Sequence, residues 1–214
     1  PPLDPLARRA PRVSYRIADA TALLPEPGLL ALFGFAGSAV SSDDPRYLQV
    51  ALECLDEPAP FELWQVDPPV SSGTEGALRW SAGGGWLFAA IELDEREHGG
   101  LEACAAFAYA NLRQFVDQRA ERHVQRVWNY LGAINRGSGD AERYKHFCDG
   151  RARGMGTFFG EGFPAATAIV NPGVADSGPV AGLPERAKPP STCGTATRFG
   201  RSCAVFAGAL SLPW

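Results

Sequence analysis

The sequence predicts a mixed α/β (α+β) fold on two observations: short β-branched and aromatic segments alternate with helical periodicities, and a strand–helix–strand order starts twice along the chain. In chain order, "RVSYRI" (12–17), "YLQVALECL" (47–55) and "FELWQV" (61–66) have strand composition, partial period-2 alternation and Pro, Gly or Asp at their boundaries. "LRWSAGGGWLFAAIEL" (78–93) predicts two strands meeting where consecutive glycines supply the positive φ of a reversal. "GGLEACAAFAYANLRQFVDQRA" (99–120) predicts a helix, because Leu101, Cys104, Ala105, Ala108, Leu112 and Phe115 recur at three and four and form one apolar stripe. "HVQRVWNYLGAI" (123–134) predicts the next strand. "DAERYKHFCDGRARG" (140–154) predicts a helix with Asp140 as N-cap and Gly154 near its C-cap, and "AATAIV" (165–170) a further strand. After about residue 172 the chain is proline-rich and aperiodic, which predicts a disordered tail.

Composition narrows the function classes. A chain of 214 residues can bury a sizeable core, as one large domain or two small ones. No apolar run approaches the ~18 residues that a membrane-spanning helix needs. A net charge of −4 and a pI near 5.4 disfavour a nucleic-acid partner, which normally calls for a basic stripe. The cysteines at 54, 104, 148, 193 and 203 are odd in number and scattered, which argues against a secreted disulfide framework. The start "PPLDPLARRAPRVSYRI" has no signal-peptide-like apolar stretch, so a cytoplasmic setting is expected. His98, His123 and His146 lack metal spacing and no Cys-x-x-Cys occurs, so no metal site is expected. "SAGGGW" leads into a strand and lacks the Lys-Ser/Thr of a phosphate loop, so it is a turn.

An acidic chain that concentrates cations and aromatics in residues 123–155 suits a small anion better than a polyanion. On a strand, Arg126, Trp128 and Tyr130 share one face, and Val127, Asn129 and Leu131 the other. On the following helix, Tyr144, Cys148 and Arg151 fall at i, i+4 and i+7, again one face. If that helix packs on that strand face, two guanidinium forks, two phenols and an indole converge, a set suited to a planar carboxylate. The competing structural reading makes these aromatics core and Arg143, Lys145 and Arg153 a solvated helix surface. Cys148 is on this reading a buried structural thiol, and "LDEREHGG" (93–100) is either an acid-base cluster or helix-start charge.

"RVWNYLGAIN", "GDAERYKHFCDGRARGM" and "FPAATAI", preceded by "DDPRYLQVALE", "APFELWQVD" and "LFAAIELDEREHGGLEACAAFAY", resemble successive signatures of the chorismatase family over residues 12–170. Relatives are sometimes labelled pteridine-dependent deoxygenases, but the chain has no pterin or metal motif. The resemblance implies tandem RidA/YjgF-like βαβ modules, an N-terminal one over 1–120 and the start of a chorismate-binding one over 121–171. It implies cofactor-free release of pyruvate from chorismate, giving 3-hydroxybenzoate, 4-hydroxybenzoate or a dihydroxycyclohexadiene acid. Arg126 and Arg151 are then candidates for the two carboxylates, Tyr130 and Tyr144 for hydrogen-bond donors, and Trp128 for a wall. The general acid is unassigned, and the alternative is a non-catalytic RidA-like module that binds a small carboxylate. The chain departs from the family after about residue 171, where an Asn-Pro-Arg-Gln motif, a late glycine-rich segment and the catalytic Glu beyond it are missing, so the resemblance implies that cleavage needs a C-terminal part this chain lacks. "SGPVAGLPERAKPPST" (177–192), back-translated and read one base later, can yield Asn-Pro-Arg-Gln, so residues 172–214 are expected to be disordered or out-of-frame and the second module incomplete.

Overall fold

The computed structural model describes residues 10–36, 40–53, 58–158, 165–171 and 202–211. Its elements are β1 (Arg12–Arg16), α1 (Ala20–Leu23), β2 (Leu29–Ala36), β3 (Tyr47–Glu53), β4 (Phe61–Gln65), β5 (Val70–Glu75), β6 (Leu78–Gly83), β7 (Trp86–Asp94), α2 (Leu101–Asp117), β8 (His123–Gly132), α3 (Arg143–Met155), β9 (Ala165–Asn171) and β10 (Ser202–Ser211). Mixed α/β architecture follows as expected, in three layers. The first sheet has order β1-β4-β2-β3 and the second β5-β6-β7-β10-β8-β9. β10 is antiparallel to both β7 and β8, and β8 is parallel to β9. Thus α2 and α3 are the crossovers of two strand–helix–strand units in one sheet. Residue 120, the expected module boundary, falls at the α2–β8 connection inside this sheet.

Alternation along the strands builds two faces, and each is covered. Leu78, Leu87, Ala89, Ile91, Val127 and Leu131 meet the α2 stripe Leu101, Cys104, Ala105, Ala108, Leu112 and Phe115 in one core. Phe88, Ala90 and Tyr130, on the other face, pack against Leu30, Ala31, Phe33, Leu48, Val50 and Trp64 of the first sheet. Buried Ser81 donates its hydroxyl to the Leu30 carbonyl across that interface, so the polar atom is satisfied where the sheets touch. A third, smaller core seats α1 on the outer face of the first sheet, with Leu23, Leu29, Phe61 and Leu63.

Two sequence expectations are corrected. Asp140 lies in a 3-10 turn, Gly139–Ala141, and the residue preceding α3 is Glu142, whose carbonyl accepts from the Lys145 and His146 N–H groups. Gly154 lies near the C-cap as expected, two residues before Gly156 (φ 54°). In the tail, Ser202–Ser211 is a ten-residue strand at the centre of the second sheet, not a disordered segment. Its partners are more than 70 positions away in sequence, so no local pattern announces it. The Asn-Pro-Arg-Gln question lies outside the described residues, in 172–201.

Helix–helix contact in the third layer depends on glycine. A Cβ on Gly150 would collide with the Glu102 carbonyl of α2, and one on Gly154 with that of Ala106. Gly150→Ala is therefore expected to force α2 and α3 apart and to destabilise the chain by about 1–3 kcal/mol. Urea unfolding checks this; an unchanged midpoint contradicts the close approach.

Candidate carboxylate-binding site

The alternation predicted for β8 holds. Val127 and Leu131 enter the helix-side core, and fully buried Asn129 accepts from the Tyr109 hydroxyl at 2.8 Å. Arg126, Trp128 and Tyr130 face the first sheet. Trp128 meets Trp64 of β4 edge-to-face at 5.3 Å, and the Arg126 guanidinium lies 5.3 Å from the Trp128 ring centre. Arg126 stays exposed while its Nη2 donates to Thr167 Oγ1 of β9 at 2.7 Å. The guanidinium is therefore oriented yet accessible, as recognition of an anion requires.

The opposing wall comes from the first sheet. The β1–β4 register pairs Val13 with Trp64 and Tyr15 with Glu62, which places these four side chains on one face, the face turned toward the second sheet. Val13, Tyr15 and Ile17 nonetheless keep 46%, 63% and 68% of their surface exposed. The second sheet therefore does not close beneath β1, and the two sheets part in an opening bordered by β1, β4 and β8. Trp64 Nε1 donates to Glu62 Oε1 at 2.6 Å. Burial, and after it the charge and hydrogen bonding of Glu62, raise the Tyr15 phenol above its ordinary value. Tyr15, Glu62 and Trp64 were not singled out from the sequence, although period 2 in "VSY" and "FELWQ" carries the signal.

Tyr130 is 8% exposed, and burial first, with the Glu62 carboxylate second, pushes its phenol from 10.0 up to about 12. The neutral phenol is a hydrogen-bond donor throughout the physiological range. Below pH 10 the stability gained by keeping it neutral is fully present. As pH rises the unfolded chain ionises first, so about 2–3 kcal/mol is lost before the folded phenol titrates near 12. Stability measured against pH should fall over that interval, and Tyr130→Phe should flatten this part of the profile; an identical profile contradicts the assignment.

The expected convergence of five side chains does not occur. α3 buries Phe147, Gly150, Gly154 and Met155, and Phe147 and Met155 join the core between α2 and the sheet. Tyr144 and Arg151 therefore lie on the helix side, while Arg126, Trp128 and Tyr130 lie on the opposite side of the same sheet. Tyr144 stacks on Phe147 at 6.4 Å and Arg151 sits 5.7 Å from the Phe147 ring. The predicted one-face trio is real, since the charge and hydrogen bonding of Cys148 raise the Tyr144 phenol and Arg151 opposes that shift. It is a separate face from that of β8.

"LDEREHGG" resolves into structure. Asp94 holds Arg96 in a turn, and these hydrogen bonds lower its carboxyl to about 2. Glu95 is 5% exposed and accepts from Arg143 Nη2 at 2.8 Å, tying α3 to the β7–α2 connection. Arg143, taken as solvated surface in the competing reading, is thus a part-buried tie. Among the described residues, no group of three or more His, Cys, Asp or Glu could hold a metal ion, and no helix is long and apolar enough to cross a membrane.

Comparison with known proteins places this architecture. The family model described as chorismatase FkbO/Hyg5-like, N-terminal, matches residues 62–178. A chorismatase of Streptomyces hygroscopicus is 32% identical over 117 residues, covering 53% of this chain and 33% of the relative. A 3-hydroxybenzoate synthase of the same organism is 30% identical over 114 residues, covering 51% and 33%. The matched region thus spans about a third of the length of these curated relatives. A crystal structure of a chorismatase superposes with a TM-score of 0.67 at 23% identity, over 94% of this chain and 54% of that one, and so shares the fold.

Proposed function

Because the chain belongs to the chorismatase FkbO/Hyg5-like family, we propose that it takes part in cleaving chorismate to pyruvate and 3-hydroxybenzoate, 4-hydroxybenzoate or a dihydroxycyclohexadiene acid. The observation that carries this reading is the oriented, exposed Arg126 over Trp128 at the opening between the sheets. In this reading the guanidinium takes a carboxylate through two parallel N–H bonds. Trp128 and Trp64 cover the flat ring, and neutral Tyr130 donates a hydrogen bond. The hydroxybenzoate route balances without water, whereas the diene-acid route consumes one water. Each needs a proton delivered to the enolpyruvyl methylene as the ether C–O bond breaks.

The reading also treats the second sheet, with its crossovers through α2 and α3, as RidA/YjgF-like architecture. Division near residue 120 separates those crossovers, and the setting is cytoplasmic. The out-of-frame origin of the tail, residues 172–214, is part of this proposal, and the coding DNA tests it: absence of the Asn-Pro-Arg-Gln codons in the +1 frame removes it. A second reading, a non-catalytic module that binds a small carboxylate, is favoured by the separation of Tyr144 and Arg151 from Arg126, since one cationic group suffices to hold one carboxylate. A coupled pyruvate-release assay with chorismate, run beside calorimetric titration, separates the two. Pyruvate release supports the enzyme, binding without release supports the module, and neither result contradicts both.

A further inference from the structure

Among the described residues, the core between α2 and the second sheet is apolar except where Tyr109 (2% exposed) and Asn129 (fully buried) form a polar pair. Tyr109 donates to Asn129 Oδ1 at 2.8 Å, and Asn129 Nδ2 donates to the Thr167 carbonyl of β9 at 3.3 Å. Thr167 then presents its hydroxyl on the opposite face of the sheet, where Oγ1 accepts from Arg126 Nη2 at 2.7 Å. A buried amide is costly unless its partners are placed to satisfy it, and a satisfied buried network fixes its members in one arrangement. Here the chain of bonds runs from α2 through β8 and β9 to the Arg126 guanidinium at the opening. The β8–β9 register, with Trp128 opposite Thr167, lets one threonine serve both faces.

We infer that Tyr109 and Asn129 are positioning residues for the carboxylate site: through Thr167 they hold the Arg126 guanidinium over Trp128 from the far side of the sheet. The inference rests on the reading of Arg126 as the carboxylate-binding group, but the relay itself exists with or without ligand. The step from helix core to guanidinium explains why an otherwise apolar interface retains a phenol–amide pair. It also accounts for a long, exposed arginine side chain having a fixed partner at the site.

Two measurements on the full chain test it and fail separately. Rotation of the Arg126 guanidinium, followed by side-chain ¹⁵N NMR without ligand, should be hindered in the native protein and become fast in Thr167→Val. It should also become faster in Tyr109→Phe, a change that keeps the ring and its contact with Phe147. Unchanged rotation in Tyr109→Phe overturns the relay whether or not chorismate binds. In the second measurement, Tyr109→Phe should weaken chorismate binding about three- to tenfold in the native background and have almost no effect in a Thr167→Val background, because coupled residues are not additive. Equal weakening in both backgrounds overturns the relay as well. If native protein fails to bind chorismate at all, the substrate reading falls, and the rotation measurement alone decides the relay.

Discussion

Arg126→Ala is expected to raise the dissociation constant for chorismate by roughly 10- to 150-fold, the equivalent of about 1.5–3 kcal/mol for charge-assisted hydrogen bonds to a carboxylate. Folding should be almost untouched, since Arg126 is exposed and its fixed contacts are one hydroxyl and one ring face. Arg126→Lys should recover little of the affinity, because an ammonium keeps the charge but loses the planar fork. Calorimetric titration of the three proteins checks this. Full recovery by lysine would mean that charge alone holds the ligand. An unchanged constant in Arg126→Ala would remove the group from the site.

Phe147→Ala is expected to destabilise the chain by about 3–5 kcal/mol, the range for deleting a buried aromatic side chain. Phe147 is fully buried and packs against Tyr109 of α2, with Tyr144 stacked on it and Arg151 over its ring. Because α3 approaches α2 through Gly150 and Gly154, neighbouring backbone can collapse only slightly into the space left behind. Chemical denaturation should show a lower midpoint with a similar slope. A loss below about 1 kcal/mol would indicate that the helix layer relaxes freely, contrary to its close packing.

How far the sequence could be read depends on the range of the interactions involved. Strand alternation is local, so the common face of Arg126, Trp128 and Tyr130 was legible in "RVWNY", as was the apolar stripe of α2. The side of the sheet that α3 covers is set by Phe147, Gly150, Gly154 and Met155, and two of those four are glycines with no side chain to count. A reading weighted by hydropathy and charge was drawn instead to Tyr144, Cys148 and Arg151, one stripe around the helix, and folded the wrong face inward. Glu62 and Tyr15 show the same limit. Their alternation was visible, but which of several strands would lie across from β8 depends on how the two sheets stack. β10 is the extreme case, since its position is fixed by pairing with β7 and β8 and by no pattern within itself.

On the proposed function, chorismate binds at the opening between the two sheets, beside β8. Indole N–H signals followed by NMR during a chorismate titration test it most directly, because the tryptophans report from different sides of the second sheet. Trp64 and Trp128 meet each other between the sheets, whereas Trp80 packs against Phe115 on the helix side. Binding there should give saturable shifts of the Trp64 and Trp128 signals with Trp80 unmoved. Shifts confined to Trp80, or no shift at saturating chorismate, would contradict it.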